Sequence, residues 1–178
     1  MVKNQCNSPE DVYNFLESQQ APERLIKHHQ LVVEAAKEIA SGLKKSFPDL
    51  NCNYRQVLVG SAIHDAGKIF FPHEISGSGN SHELAGEKHL LKLGIPPHIA
   101  RFCRTHAHWQ DSNNTLEDLL VALADTLWKG CRNGNLENLI ISKISSSVSQ
   151  DFWDVFIVAD SLFEKISDCG VNRLNRSY

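Results

Sequence analysis

Val57-Leu58-Val59-Gly60-Ser61-Ala62-Ile63-His64-Asp65-Ala66-Gly67-Lys68 is the most telling stretch of this chain. From Val57 to Ile63 the residues are small or apolar on every side, the pattern of a helix packed all round. Asn53 is placed to cap that helix and Gly67 to end it. Just before the glycine stand an imidazole and a carboxylate, His64 and Asp65. The helix dipole favours histidine at a C-terminus but disfavours aspartate there. A carboxylate that follows an apolar run also needs a cation to offset its desolvation. Imidazole nitrogen with carboxylate oxygen is a donor set suited to first-row divalent metals.

Outward from this stretch the periodicity is helical nearly throughout, and the expected fold class is all-α. Ser8-Pro9-Glu10-Asp11 reads as a capping box with proline at its first helical position, opening a helix to about Gln19. After Pro22 the stripe Leu25, Val32, Ala36, Ile39, Leu43, Phe47 keeps helical spacing and stops before Pro48. Ile75 to Asn80, with Gly77-Ser78-Gly79, is the clearest loop. Asn80 with Glu83 is the expected cap of the next helix, which runs to about Leu93 and stops at Gly94. Pro96-Pro97 opens a helix through Ile99, Phe102, Cys103 and His106, and Thr115-Leu116-Glu117-Asp118 is a second capping box for a helix to about Lys129. Asn133-Gly134-Asn135 reads as a turn. Two helices follow, separated near Ser145 to Ser149, the last with Phe152, Phe156, Ala159, Phe163 and Ile166 on one face and Gly170 as the residue just past its end.

At 178 residues the chain suits one domain with a core that needs no staples. Eighteen basic against 21 acidic residues give a net charge of −3, so there is no strong signal for nucleic acid or an anionic membrane. Cys6, Cys52, Cys103, Cys131 and Cys169 form an odd, scattered set without a C-x-x-C pair, which suits reduced, mostly buried thiols in a cytoplasmic protein. Residues Met1 to Gln5 lead into no apolar signal region, and the longest apolar run, Leu119 to Ala124, is too short for a membrane span. Nothing in the sequence selects an oligomeric state.

Further donors flank the His64-Asp65 pair. His28 and His29 lie at opposite edges of the Leu25/Val32/Ile39 stripe, and periodicity does not choose between them. Asp125 shares a face with Asp118, Ala122 and Lys129. That face reads either as a wet stripe carrying an Asp125-Lys129 pair, or as the wall of a polar cleft. His82 and His106 are individually ordinary in a chain with nine histidines, and His108 competes with His106.

Order and spacing add a resemblance. A histidine in an early long helix, then His64-Asp65-Ala66-Gly67-Lys68, then His82-Glu83-Leu84-Ala85-Gly86, then His106 and finally Asp125 resemble the HD superfamily of metal-dependent phosphohydrolases, over about Leu25 to Asp125. In that family the first histidine precedes valine by four positions and a small residue by eight. His28 satisfies this with Val32 and Ala36, and His29 is the fallback. The resemblance implies a single HD-type helical domain of about seven or eight helices over 1–178. Its motif-bearing core would span about 22–130, with the metal site in the helical core and helices over 135–169 packing around it. It implies that His28, His64, Asp65 and Asp125 hold one divalent ion, and that His82 and His106 extend the site to a second, with Asp65 as the bridge. Manganese, iron, zinc, cobalt or nickel would suit the donors, with magnesium as a further option.

The reaction so implied is in-line hydrolysis of a small phosphate ester, a nucleotide being one candidate, by a water that the metal site activates. Lys68 and Lys129 are the expected cationic contacts to the phosphate, with Arg132 and Arg104 behind them. Glu83 and Glu87 are candidates to orient a ligand histidine, and His108 to donate a proton to the leaving group. Two other classes compete. One is a di-iron oxygenase of the same superfamily, which metal content would reveal. The other is a non-catalytic, metal-stabilised domain that binds a ligand or partner, whose signature would be a missing donor.

Overall fold

A computed structural model of the chain describes residues 6–177, and every regular element in them is helical. The order is α1 (Pro9–Ser18), α2 (Glu23–Ser46), α3 (Tyr54–Ile63), two 3-10 turns (Ala66–Ile69 and Pro72–Ile75), α4 (Ser81–Lys92), α5 (Pro97–Ala100), α6 (Phe102–Thr105), α7 (Leu116–Leu127), α8 (Gly134–Val148), α9 (Phe152–Asp168) and α10 (Gly170–Asn175). Seven of these helices have ten residues or more. The fold is all-α, and no described helix is long and apolar enough to cross a membrane.

α2, α3 and α7 pack on one another as the centre of the bundle. α3 is enclosed as its composition predicts, with Val57, Val59, Gly60, Ser61, Ala62 and Ile63 all buried. A Cβ on Gly60 would lie 2.8 Å from side-chain atoms of both Phe102 and Val121, so this glycine lets α6 and α7 close onto α3. α7 begins with the expected capping box, Thr115 with Asp118. Asp118 is itself fully buried. It accepts from Thr105 Oγ1 at 2.8 Å and pairs with Arg101 Nη2 at 2.9 Å, which ties the α5–α6 segment to α7. Its side of α7 is therefore no wet stripe.

Several local expectations are corrected. The helix expected from Pro97 to His106 is two short helices that meet at Arg101. Asn133 is the N-cap of α8, accepting from the Leu136 N–H at 3.2 Å, and Gly134 already belongs to the helix. Gly170 does not end α9; it starts α10, and it is small because a Cβ would lie 2.1 Å from the Gly130 nitrogen. Gly67 likewise is not a left-handed cap. It lies in the 3-10 turn after Asp65, where a Cβ would meet the His82 carbonyl oxygen at 1.9 Å. That contact seats the turn directly on α4. Asn80 makes no side-chain cap at the start of α4, and Glu74 takes its place.

Candidate metal centre

Five elements deliver the six expected donors to one place. His28 comes from α2, His64 is the C-cap of α3, Asp65 follows it, His82 is the second residue of α4, His106 is the C-cap of α6, and Asp125 lies in the last turn of α7. Asp65 is central. Its Oδ2 lies 3.1 Å from His28 Nε2 and 3.5 Å from His64 Nε2, while its Oδ1 lies 3.0 Å from His82 Nε2 and 3.6 Å from His106 Nε2. Asp125 Oδ1 completes the first group, 3.6 Å from His28 Nε2 and 3.5 Å from His64 Nε2. The donor atoms of His28, His64 and Asp65 lie within 4.8 Å of one another, as do those of Asp65, His82 and His106.

Three of the rings are held from behind in the same way. His64 Nδ1 faces the Ser61 carbonyl at 3.0 Å, His106 Nδ1 the Phe102 carbonyl at 2.9 Å, and His82 Nδ1 the Glu74 carboxylate at 2.5 Å. With Nδ1–H donating in each, Nε2 presents a lone pair to the centre, the arrangement that metal-ligating histidines adopt. Burial would raise the Asp65 carboxyl, but the rings of His64, His28, His82 and His106 hold it well below its ordinary value. Burial first, and the neighbouring His64 ring second, push His106 down to about 4.

The donors fit a metal on an observation of their own. Asp65 Oδ1 and His82 Nε2 are both buried, face each other at 3.0 Å, and neither has a hydrogen-bond partner. With Nδ1–H of His82 given to Glu74, the pair is satisfied by a cation between the two atoms or by a second proton on the ring. The centre forms the floor of a cavity of about 550 Å³, whose walls include Arg24, Lys68, Lys129, Trp109, Trp128 and the loop around Gly77 and Gly79.

The structure separates the competing histidines. His28 lines the cavity, whereas His29 is fully buried and bonds to nothing through either ring nitrogen. His106 faces Asp65, whereas the His108 side chain is 60% exposed, is not among the cavity walls, and pairs at 2.9 Å with Glu83, which is. His108 makes no contact with Asp65 or the other donors, and its ring is turned to Glu83 at the cavity edge. Lys68 Nζ sits 2.6 Å from Asp65 Oδ2, and Lys129 Nζ 3.9 Å from Asp125 Oδ2. Arg132 is taken by Glu137 and Asp160, and Arg104 by Glu87; neither lines the cavity.

Sequence reasoning missed Glu74. Glu83 and Glu87 were the expected orienting carboxylates, but they serve His108 and Arg104. Glu74 lies in a loop without periodicity, and its only sequence signal is a carboxylate close before a helix that opens with a ligand-type histidine.

No curated protein and no solved structure matches the chain. The HD domain family matches residues 25–128, a segment that contains all six donors. With more than half of its length in that match, the chain belongs to the HD domain family.

Proposed function

We propose that this chain is a metal-dependent phosphohydrolase acting on a small phosphate ester, nucleotides being one candidate class. HD domains are mostly metal-dependent hydrolases, which supplies the reaction type. The phosphate reading rests on one observation: the two oxygens of Asp65 face two separate donor groups on the floor of a cavity that Lys68 and Lys129 also line. Anionic donors for cations, flanked by ammonium groups, suit a substrate with several anionic oxygens on one centre.

In this reading His28, His64, Asp65 and Asp125 would hold one divalent ion, and Asp65, His82 and His106 would be the residues for a second. The bound metal supplies a nucleophilic water at neutral pH and Lewis-acid polarisation of a phosphoryl oxygen. Once Asp65 and Asp125 are committed to cations, the ammonium groups of Lys68 and Lys129 are released to bind non-bridging phosphate oxygens and to stabilise charge that builds on them. Trp128 stands edge-on to His28, ring centroids 5.0 Å apart, and both line the cavity.

The test is phosphate release from a panel of phosphomonoesters, nucleotides and cyclic nucleotides, with manganese, iron, zinc, cobalt, nickel or magnesium supplied in turn. Metal-dependent release from one compound class supports the reading. Turnover that needs iron and consumes oxygen would transfer the chain to the oxygenase class, and uptake of metal without any turnover would favour a binding domain.

A further inference from the structure

We propose that Glu74 is the positioning residue that orients His82 for an ion shared with Asp65 and His106, an inference that rests on the metal reading of the site. Glu74 is only 3% exposed and sits in the turn Pro72–Ile75. Three donors converge on its carboxylate: Oε2 accepts from His82 Nδ1 at 2.5 Å and from the His82 backbone N–H at 3.2 Å, and Oε1 from the Ser81 N–H at 3.2 Å. One side chain therefore caps α4 and grips the ring of its second residue.

The position of His82 explains why a carboxylate from elsewhere is needed. His64 and His106 stand at helix C-termini, where carbonyls three and four residues back accept from Nδ1. His82 stands at a helix N-terminus, with no preceding turn to supply such a carbonyl. Glu74 fills that role with a charged acceptor, which fixes the tautomer and makes the ring a better donor at Nε2. That nitrogen is the one facing Asp65 Oδ1.

The loop is shaped for this contact. A Cβ on Gly79 would lie 2.4 Å from Glu74 Oε1, so the chain closes over the carboxylate only because residue 79 has no side chain. The same loop forms part of the cavity wall.

Metal-free wild type and Glu74→Gln are titrated with Co²⁺, followed by calorimetry and visible absorption, and melting temperatures are taken with and without metal. Wild type is expected to bind two ions. Glu74→Gln should bind the first unchanged and the second about 10–100-fold more weakly. Loss of the cap alone would lower the melting temperature of the metal-free chain without altering the rise that metal produces, whereas loss of positioning shrinks that rise. Gly79→Ala, which crowds the carboxylate without removing its charge, should weaken the second ion in the same direction. If wild type takes up fewer than two ions, the two-ion reading and this proposal both fail. If wild type binds two and both variants bind two with unchanged affinity, Glu74 has no positioning role and the metal reading stands.

Discussion

His28 and His29 are sequence neighbours with ring centroids 5.5 Å apart, yet they serve different surroundings. His28 Nε2 lies 3.1 Å from Asp65 Oδ2 at the cavity floor, while His29 is sealed in the core with both nitrogens unpartnered. Burial, with the charges of His64 and His28 beside it, holds the His29 ring well below its ordinary pKa and therefore neutral. His28→Ala should lose the ion it shares with His64 and Asp125, and with it activity, with little loss of apparent stability in the metal-free chain. His29→Ala should keep its metal and lose about 2–4 kcal/mol, the cost of a core cavity. His29→Leu, which fills the space and removes two unpaired polar atoms, should lie within about 1 kcal/mol of wild type or above it. Elemental analysis and urea denaturation on the three variants check this, and metal loss confined to the His29 variants would overturn the assignment.

Asp65→Ala is expected to be the most damaging substitution at the centre, because both donor groups meet at its two oxygens. It should remove both ions, where His82→Ala or Asp125→Ala removes one. Chelation of wild type should abolish activity and lower its melting temperature, since an ion that binds only the folded state stabilises it by mass action. Retention of two ions by Asp65→Ala in elemental analysis would contradict the shared-carboxylate arrangement.

Lys129 is 41% exposed and only 3.9 Å from Asp125 Oδ2, so as a surface pair it would contribute at most about 0.5 kcal/mol. If it serves the phosphate, Lys129→Ala should lower kcat on the order of a hundredfold with metal content and melting temperature unchanged. Steady-state kinetics beside metal analysis distinguish the two roles. Full activity would leave Lys68 as the cation that matters.

Gly67→Ala tests the seat of the turn that carries Asp65. The new methyl would stand 1.9 Å from the His82 carbonyl oxygen and 2.8 Å from the Gly86 nitrogen, both backbone atoms that cannot swing aside. A loss at or above the upper end of the ~1–3 kcal/mol typical of overpacking is expected. Asp65 and His82 should also be forced apart, so the second ion should weaken more than the first. A chain with unchanged melting temperature and ion affinity would show that α4 can shift freely against the turn.

Arg173 is fully buried in α10 and reaches back to α2, where Nε meets Glu34 at 3.2 Å and Nη2 meets Glu38 at 2.5 Å, while Nη1 donates to the Ile166 carbonyl at 2.8 Å. Both glutamates are 40% exposed, so water takes over once the guanidinium is gone. Arg173→Met should therefore cost about 1–3 kcal/mol, less than the loss of one partner from a fully enclosed pair. Arg176, with Arg173 beside it, holds Glu34 below its ordinary pKa. The stability from that contact is present at neutral pH and is lost as acid takes the pH through the lowered value. Melting curves across the acid range should show a shallower dependence in Arg176→Met, which removes the main partner of Glu34.

The sequence by itself determined the class of fold, and its resemblance to the HD superfamily supplied the candidate donor set. Proline, capping boxes and the 3.6-residue apolar stripe are local signals, and they marked α1, α2 and α7 closely because local backbone physics sets those helices. The enclosed α3 was legible from composition alone, and with it the expectation of a cation beside Asp65, where the structure places Lys68 Nζ at 2.6 Å. The six donors were legible only as a series, since no single imidazole on a helix edge reports what it faces. Tertiary structure decided the rest. It turned His28 rather than His29 to the cavity, made Gly67 and Gly170 sites of backbone contact where helix ends were expected, and brought Glu74 across a loop onto His82. Each depends on the approach of segments distant in sequence, and periodicity carries no information about that approach.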